Sequence, residues 1–182
     1  SPSRGLGDVY KRQVWIHGEN PQALQAAVRD LRNTAMFEQL ELVWQVAGVH
    51  VAAEFNERHM PAFMMGKAPE QWITIYPFVR SYDWYLLPEE ERSEMLREHG
   101  MLGAQFKEVL ANTVASFGIS DYEWMLAFEA PELIHLVDMM RALRYSEARL
   151  HVREEVPFYT GRRIETAELE TALRFAAAEA NH

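Results

Sequence analysis

The sequence predicts an α+β chain whose most complete part is a strand–helix–strand–strand–helix–strand unit in its second half. Three observations carry this reading. Trp72 to Arg80 alternates as a strand does, with Trp72, Thr74, Tyr76, Phe78 and Arg80 on one face and Ile73, Ile75 and Val79 on the other. After Pro88, a helical pattern places Met95, His99, Leu102 and Phe106 on a single stripe. Two runs of β-formers, Val109 to Phe117 and Tyr122 to Glu129, are joined by a short turn around Gly118.

Taken in chain order, residues 1–13, SPSRGLGDVYKRQ, carry neither periodicity nor the apolar core of a signal peptide. They read as a non-native tail. Val14 to His17 reads as a short strand. Asn20-Pro21 starts a helix, with asparagine as cap and proline in the first turn. Leu24, Ala27, Val28 and Leu31 give that helix its apolar face, and Leu40 to Val51 reads as a strand. Residues 14–52 thus match the second half of a βαββαβ unit, the first unit being N-terminally truncated. Apolar sheet surface there is expected to lie uncovered.

Residues 53–70 contain Asn56, Pro61, Gly66 and Pro69 without a sustained period, and read as a long linker loop. Residues 71–164 hold the complete unit. Its strand Trp72 to Arg80 is followed by a helix from Pro88 to about Phe106 and by the two strands around Gly118. A helix from Pro131 to about Arg144 and a last strand, Val152 to Tyr159, complete it. The order βαββαβ is the ferredoxin-like motif. Residues 165–182 form a C-terminal tail, with a helix from Glu165 to Ala178 to which no role is assigned.

The net charge of -9 argues against a nucleic-acid partner, which requires clustered Lys and Arg. An anionic small molecule needs only one or two well-placed cations. The absence of cysteine removes disulfides, thiolate haem ligation, iron–sulfur clusters and cysteine zinc sites, and fits a reducing cytoplasm. No apolar run approaches the ~20 residues of a membrane-spanning helix.

His99 points where a core residue should point. It is either a buried, hydrogen-bonded histidine or a metal ligand, imidazole being a common ligand for haem iron. Tyr76 and Arg80 lie roughly 13 Å apart along one strand face. That span suits a flat ligand with carboxylates at its rim, which arginine pairs well; an ordinary exposed strand surface would carry the same pattern. His59 sits in the linker loop, where a histidine is usually solvated and idle.

Together these signals form a longer string. IYPFVRSYDWYLLPEEERSEMLREHG, residues 75–100, is followed by ANTVASFGISDYEWMLAFEAPELIHLVDMMRALR, residues 111–144, and HVREEVPFYTG, residues 151–161. Upstream stands AEFNERHMPAF, residues 53–63. From about Val14 to Arg163 the sequence resembles the actinobacterial coproheme decarboxylases, a branch of the chlorite-dismutase-like haem-protein family. The resemblance implies two ferredoxin-like units per chain, of the dimeric α+β barrel type, with porphyrin in the second and a homopentameric assembly. It implies iron-coproporphyrin III (coproheme) as both substrate and cofactor, hydrogen peroxide as oxidant and haem b as product. His99 then matches the proximal iron ligand, Tyr76 the redox-active tyrosine, His59 the distal histidine and Arg80 a propionate contact. Ser146 matches a further propionate contact. The strand Val109 to Phe117 lacks the arginine that chlorite dismutases proper place there, which counts against chlorite as substrate. A non-catalytic haem-binding or transport module and a haem peroxidase are the alternatives within the same family.

Overall fold

A computed structural model describes residues 13–53, 60–169 and 171–172. Residues 1–12 of the expected tail, His59 and most of the expected C-terminal helix lie outside the described residues. The chain divides into two compact units, Val46–Arg163 and a smaller one made of residues up to Gln45 together with those from Ile164 onward.

The smaller unit contains helix α1, Pro21–Arg32. Asn20 caps it, its side-chain oxygen accepting from the Ala23 amide at 3.0 Å, with Pro21 at the first helical position. Leu24, Val28 and Leu31 are half-buried, and no residue of α1 is fully buried. The expected strands Val14 to His17 and Leu40 to Val51 do not form; among the described residues both runs are irregular, apart from one bridge at Val49. Their β-branched and aromatic residues fit a pleated surface only where a neighbouring strand supplies one.

In the larger unit, β1 (Trp72–Arg80), α2 (Glu89–Gly103), β2 (Leu110–Ala115), β3 (Trp124–Ala130), α3 (Leu133–Leu143), β4 (Val152–Glu154) and β5 (Tyr159–Arg162) follow one another. The sheet runs β2-β3-β1-β4, with β5 also on β1, and every pairing is antiparallel. This is a βαββαβ unit. The expected last strand is divided into β4 and β5: Pro157 lies between them and has no amide to donate to a ladder. The helix expected from Pro131 begins at Leu133, with Glu132 as its cap residue.

β2 is an edge strand, and its outer side is covered by the chain around Val49. Val49 and Ala115 exchange two backbone hydrogen bonds of 2.8 Å, and the Ser116 hydroxyl donates to the Ala47 carbonyl at 2.9 Å. Gly48 permits this approach, since a Cβ there would lie 2.6 Å from Val114 Cγ2 and 2.9 Å from the Ala115 oxygen. The linker is tied down by a buried amide. Asn112, 1% exposed, accepts from the Phe63 amide at 3.0 Å and donates to Glu129 at 3.0 Å. Glu129 in turn accepts from the Glu70 amide at 3.0 Å. One asparagine–glutamate pair on β2 and β3 therefore holds two points of the loop that follows His59.

The core lies between β1, β3 and the helices. Tyr76, Phe128, Ala130, Leu136, Met139 and Leu143 form its buried cluster, with Leu102 and Phe106 packed against it. Leu136, Met139 and Leu143 recur at helical spacing and give α3 its buried stripe. The alternation along β1 holds, but both faces are covered. Tyr76 and Thr74 are buried on one side, Val79 and Pro77 on the other.

Candidate active site

β1 is the central strand, and its Tyr76–Arg80 face is turned toward the core cluster that includes α3. Tyr76 is 3% exposed. Its ring stacks on Phe158, centroids 4.4 Å apart, and tilts against Phe128 at 5.9 Å. Its hydroxyl reaches the Met140 sulfur at 3.6 Å, a weak acceptor. Burial drives the phenol pKa well above its ordinary value; the Glu155 carboxylate adds to this, while Arg144 and Arg149 oppose it. Tyr76 is therefore a neutral phenol across the working pH range. It is suited to giving up a hydrogen atom and unsuited to acting as a phenolate.

Arg80 sits four residues further along β1. Its guanidinium lies 4.0 Å from the Trp84 ring centroid and 4.7 Å from that of Phe78, and donates to the Ala148 carbonyl at 3.2 Å. Stacking between aromatic faces holds a cation at a defined place. Arg144 and Arg149 share one carboxylate, Glu155, at 2.6 and 3.2 Å.

His99 lies on the half-buried face of α2, in line with Leu102 and Phe106. Its Nδ1 is 3.0 Å from the Ser146 hydroxyl. Its Nε2 has no hydrogen-bond partner among the described residues. Burial, and secondarily the Arg80 charge, lowers the imidazole pKa from 6.5 to about 4. The ring is thus partly buried and hydrogen-bonded through one nitrogen, and its other nitrogen is open. Among the described residues no three His, Asp or Glu side chains cluster as a metal site. A metal that brings its own ligands, as iron in a porphyrin does, needs only one such side chain.

The shift of His99 has a consequence for stability. The unfolded chain takes up a proton at this residue near pH 6.5 and the folded chain only near 4. The stabilising contribution is complete above 6.5 and is lost as pH falls through this window. Ligand-free protein should lose on the order of 3 kcal/mol from this source between those limits. Urea unfolding at a series of pH values checks it: His99→Gln should flatten the dependence relative to the parent, and equal slopes would refute the assignment.

Of the five residues expected at the site, four are described. Tyr76 and Arg80 share one strand face. Arg80 is close enough for its charge to act on His99, and His99 contacts Ser146. Ser146, 3% exposed, has its hydroxyl engaged with His99 and the Leu143 carbonyl. Sequence reasoning did not find Phe158, Met140 or Trp84, nor the pairing of Ser146 with His99. Trp84, four residues beyond Arg80, lies in a turn, where no periodic pattern marks it.

The described fold is an α+β one, a βαββαβ unit with an antiparallel sheet and His99 on the half-buried face of α2. Residues 7–164 match the family model described as chlorite dismutase, and the chain belongs to that family. It is 52% identical over 173 residues to a coproheme decarboxylase of Mycolicibacterium smegmatis, covering 91% of this chain and 75% of that protein. It is 26% identical over 141 residues to a coproheme decarboxylase of Staphylococcus carnosus, covering 74% of this chain and 57% of that one. Among solved structures, a variant chlorite dismutase from Candidatus Nitrospira defluvii superposes with a TM-score of 0.73 at 20% identity, covering 87% of this chain and 68% of that one. At that identity the likeness concerns the fold.

Proposed function

We propose that this protein is a coproheme decarboxylase, converting two propionates of iron-coproporphyrin III to vinyl groups with hydrogen peroxide and yielding haem b. The similarity to the Mycolicibacterium smegmatis enzyme supports this reading. The observation that carries it in the structure is Tyr76, an oxidisable phenol kept neutral on the strand face it shares with Arg80. A haem carrier or transport module needs no such group. When bound, the iron porphyrin would supply the oxidising power drawn from peroxide.

The chain's own residues have separable tasks. His99 Nε2 would hold the iron, and His59, matched by resemblance to the distal histidine, would take the peroxide proton. Arg80, held over Trp84 and Phe78, pairs with a propionate and fixes the distance from substrate to phenol. Tyr76, once oxidised, takes a hydrogen atom from the propionate β-carbon. Each conversion removes that hydrogen and the carboxyl group, which leaves as carbon dioxide. Two electrons pass to one peroxide, which becomes water.

The wider reading follows the family. Residues 14–52 stand for part of a first ferredoxin-like unit, 53–70 for the linker and 71–164 for the porphyrin-binding unit, in a cytoplasmic homopentamer. Among the described residues no helix is long and apolar enough to cross a membrane. The stoichiometry tests the chemistry: two peroxides consumed and two carbon dioxides released per porphyrin are expected. Peroxide consumption without carbon dioxide would favour a peroxidase.

A further inference from the structure

We infer that Ser146 is a positioning residue that fixes the ring tautomer of His99, so that Nε2 carries the lone pair needed to bind iron. This rests on the reading of His99 as the axial ligand and adds how the ring is made ready for that task. The number of hydrogens available decides the tautomer. The Ser146 hydroxyl has one hydrogen and two lone pairs. It lies 3.2 Å from the Leu143 carbonyl and 3.0 Å from His99 Nδ1. The carbonyl can only accept, so the hydroxyl hydrogen belongs to that bond. It is one of the carbonyls of the last turn of α3, and the Ser146 amide reaches it as well, at 3.5 Å. The hydroxyl oxygen then meets Nδ1 with a lone pair, and Nδ1 must carry a hydrogen. A neutral imidazole has only one N–H, so Nε2 is bare.

The arrangement is built rather than incidental. Ser146 is 3% exposed, and it directly follows the α3 end formed by the buried Leu143 and by Arg144 and Tyr145. Leu143 belongs to the same core cluster against which Leu102 of α2 packs. The hydroxyl is therefore held by the contact between the two helices. The partner of a ligating histidine sets ring orientation and ligand basicity, and its loss typically weakens metal binding by about 10- to 100-fold.

The test begins without iron. Long-range ¹H–¹⁵N spectra of the full chain, labelled at histidine, report which ring nitrogen carries the hydrogen. The parent should show His99 as the Nδ1–H form. Ser146→Ala should move it toward the Nε2–H form, and Ser146→Thr, which keeps a hydroxyl, should retain the parent form. Melting curves establish that each variant is folded. With iron-coproporphyrin added and reduced, resonance Raman should show an iron–histidine stretch in the parent. That stretch should fall in frequency in Ser146→Ala, with axial affinity about 10- to 100-fold weaker, and recover in Ser146→Thr. A parent with the Nδ1–H form but no iron–histidine band would overturn the axial reading of His99. A parent with the band but the Nε2–H form, or a Ser146→Ala variant with unchanged tautomer and band, would overturn the assignment to Ser146.

Discussion

Tyr76→Phe is expected to yield a folded protein that binds iron-coproporphyrin, consumes peroxide and makes no haem b. The substitution removes one oxygen and keeps the ring. The stacking on Phe158 and the tilted contact with Phe128 are contacts of the ring, not the hydroxyl. The lost hydroxyl contact is to the Met140 sulfur alone, so stability should change by no more than about 1 kcal/mol. Binding depends on His99 and Arg80 and should persist. Phenylalanine has no accessible oxidation to a phenoxyl radical, so hydrogen abstraction from the propionate should be abolished and the porphyrin eventually bleached. Mass spectrometry of extracted porphyrin reads this directly. Haem b formed at close to the parent rate would remove Tyr76 from the mechanism.

His99→Ala should have the second large effect. The side chain is half-buried on α2 and bonded to Ser146, so its loss leaves a cavity and a buried hydroxyl with one partner fewer. A cost on the order of 1–3 kcal/mol follows from the unmade hydrogen bond. The consequence for the iron is greater, because the ligand itself is removed. Affinity should fall by more than the roughly 10- to 100-fold typical of losing a ligand's partner. Added imidazole, small enough for the vacated space, should restore a nitrogen-ligated spectrum in part. A histidine-ligated spectrum that survives in the variant without imidazole would show that another residue holds the iron.

The legible parts of this chain were those written in local periodicity. The alternation of Trp72 to Arg80 and the stripe through Met95, His99 and Leu102 are each visible within one element, and both elements formed, the helix ending at Gly103 and leaving Phe106 beyond it. What the sequence concealed depends on contacts between distant segments. The partner of His99 lies 47 positions away, after the end of a different helix. Arg80 is framed by Trp84, whose place in a turn gives it no period. Tyr76 was placed on a ligand-facing surface, yet its ring is covered by Phe158 from β4–β5, the segment whose division at Pro157 the alternation did not show. Leu40 to Val51 had the composition of a strand, but only Val49 found a partner edge, where Gly48 permits close approach. β-Composition states what a segment could pair with, and the pairing itself is a tertiary fact.

This chain should carry out two decarboxylations on a bound iron porphyrin. The most direct test incubates the full chain with iron-coproporphyrin III, adds peroxide in half-equivalent steps and follows the porphyrin by mass. The expected result is two successive losses of one carbon dioxide and two hydrogens, passing through a three-propionate species and ending at the mass of haem b. A porphyrin that is bound and bleached with all its propionates in place, under conditions where the parent fold is intact, would contradict the account.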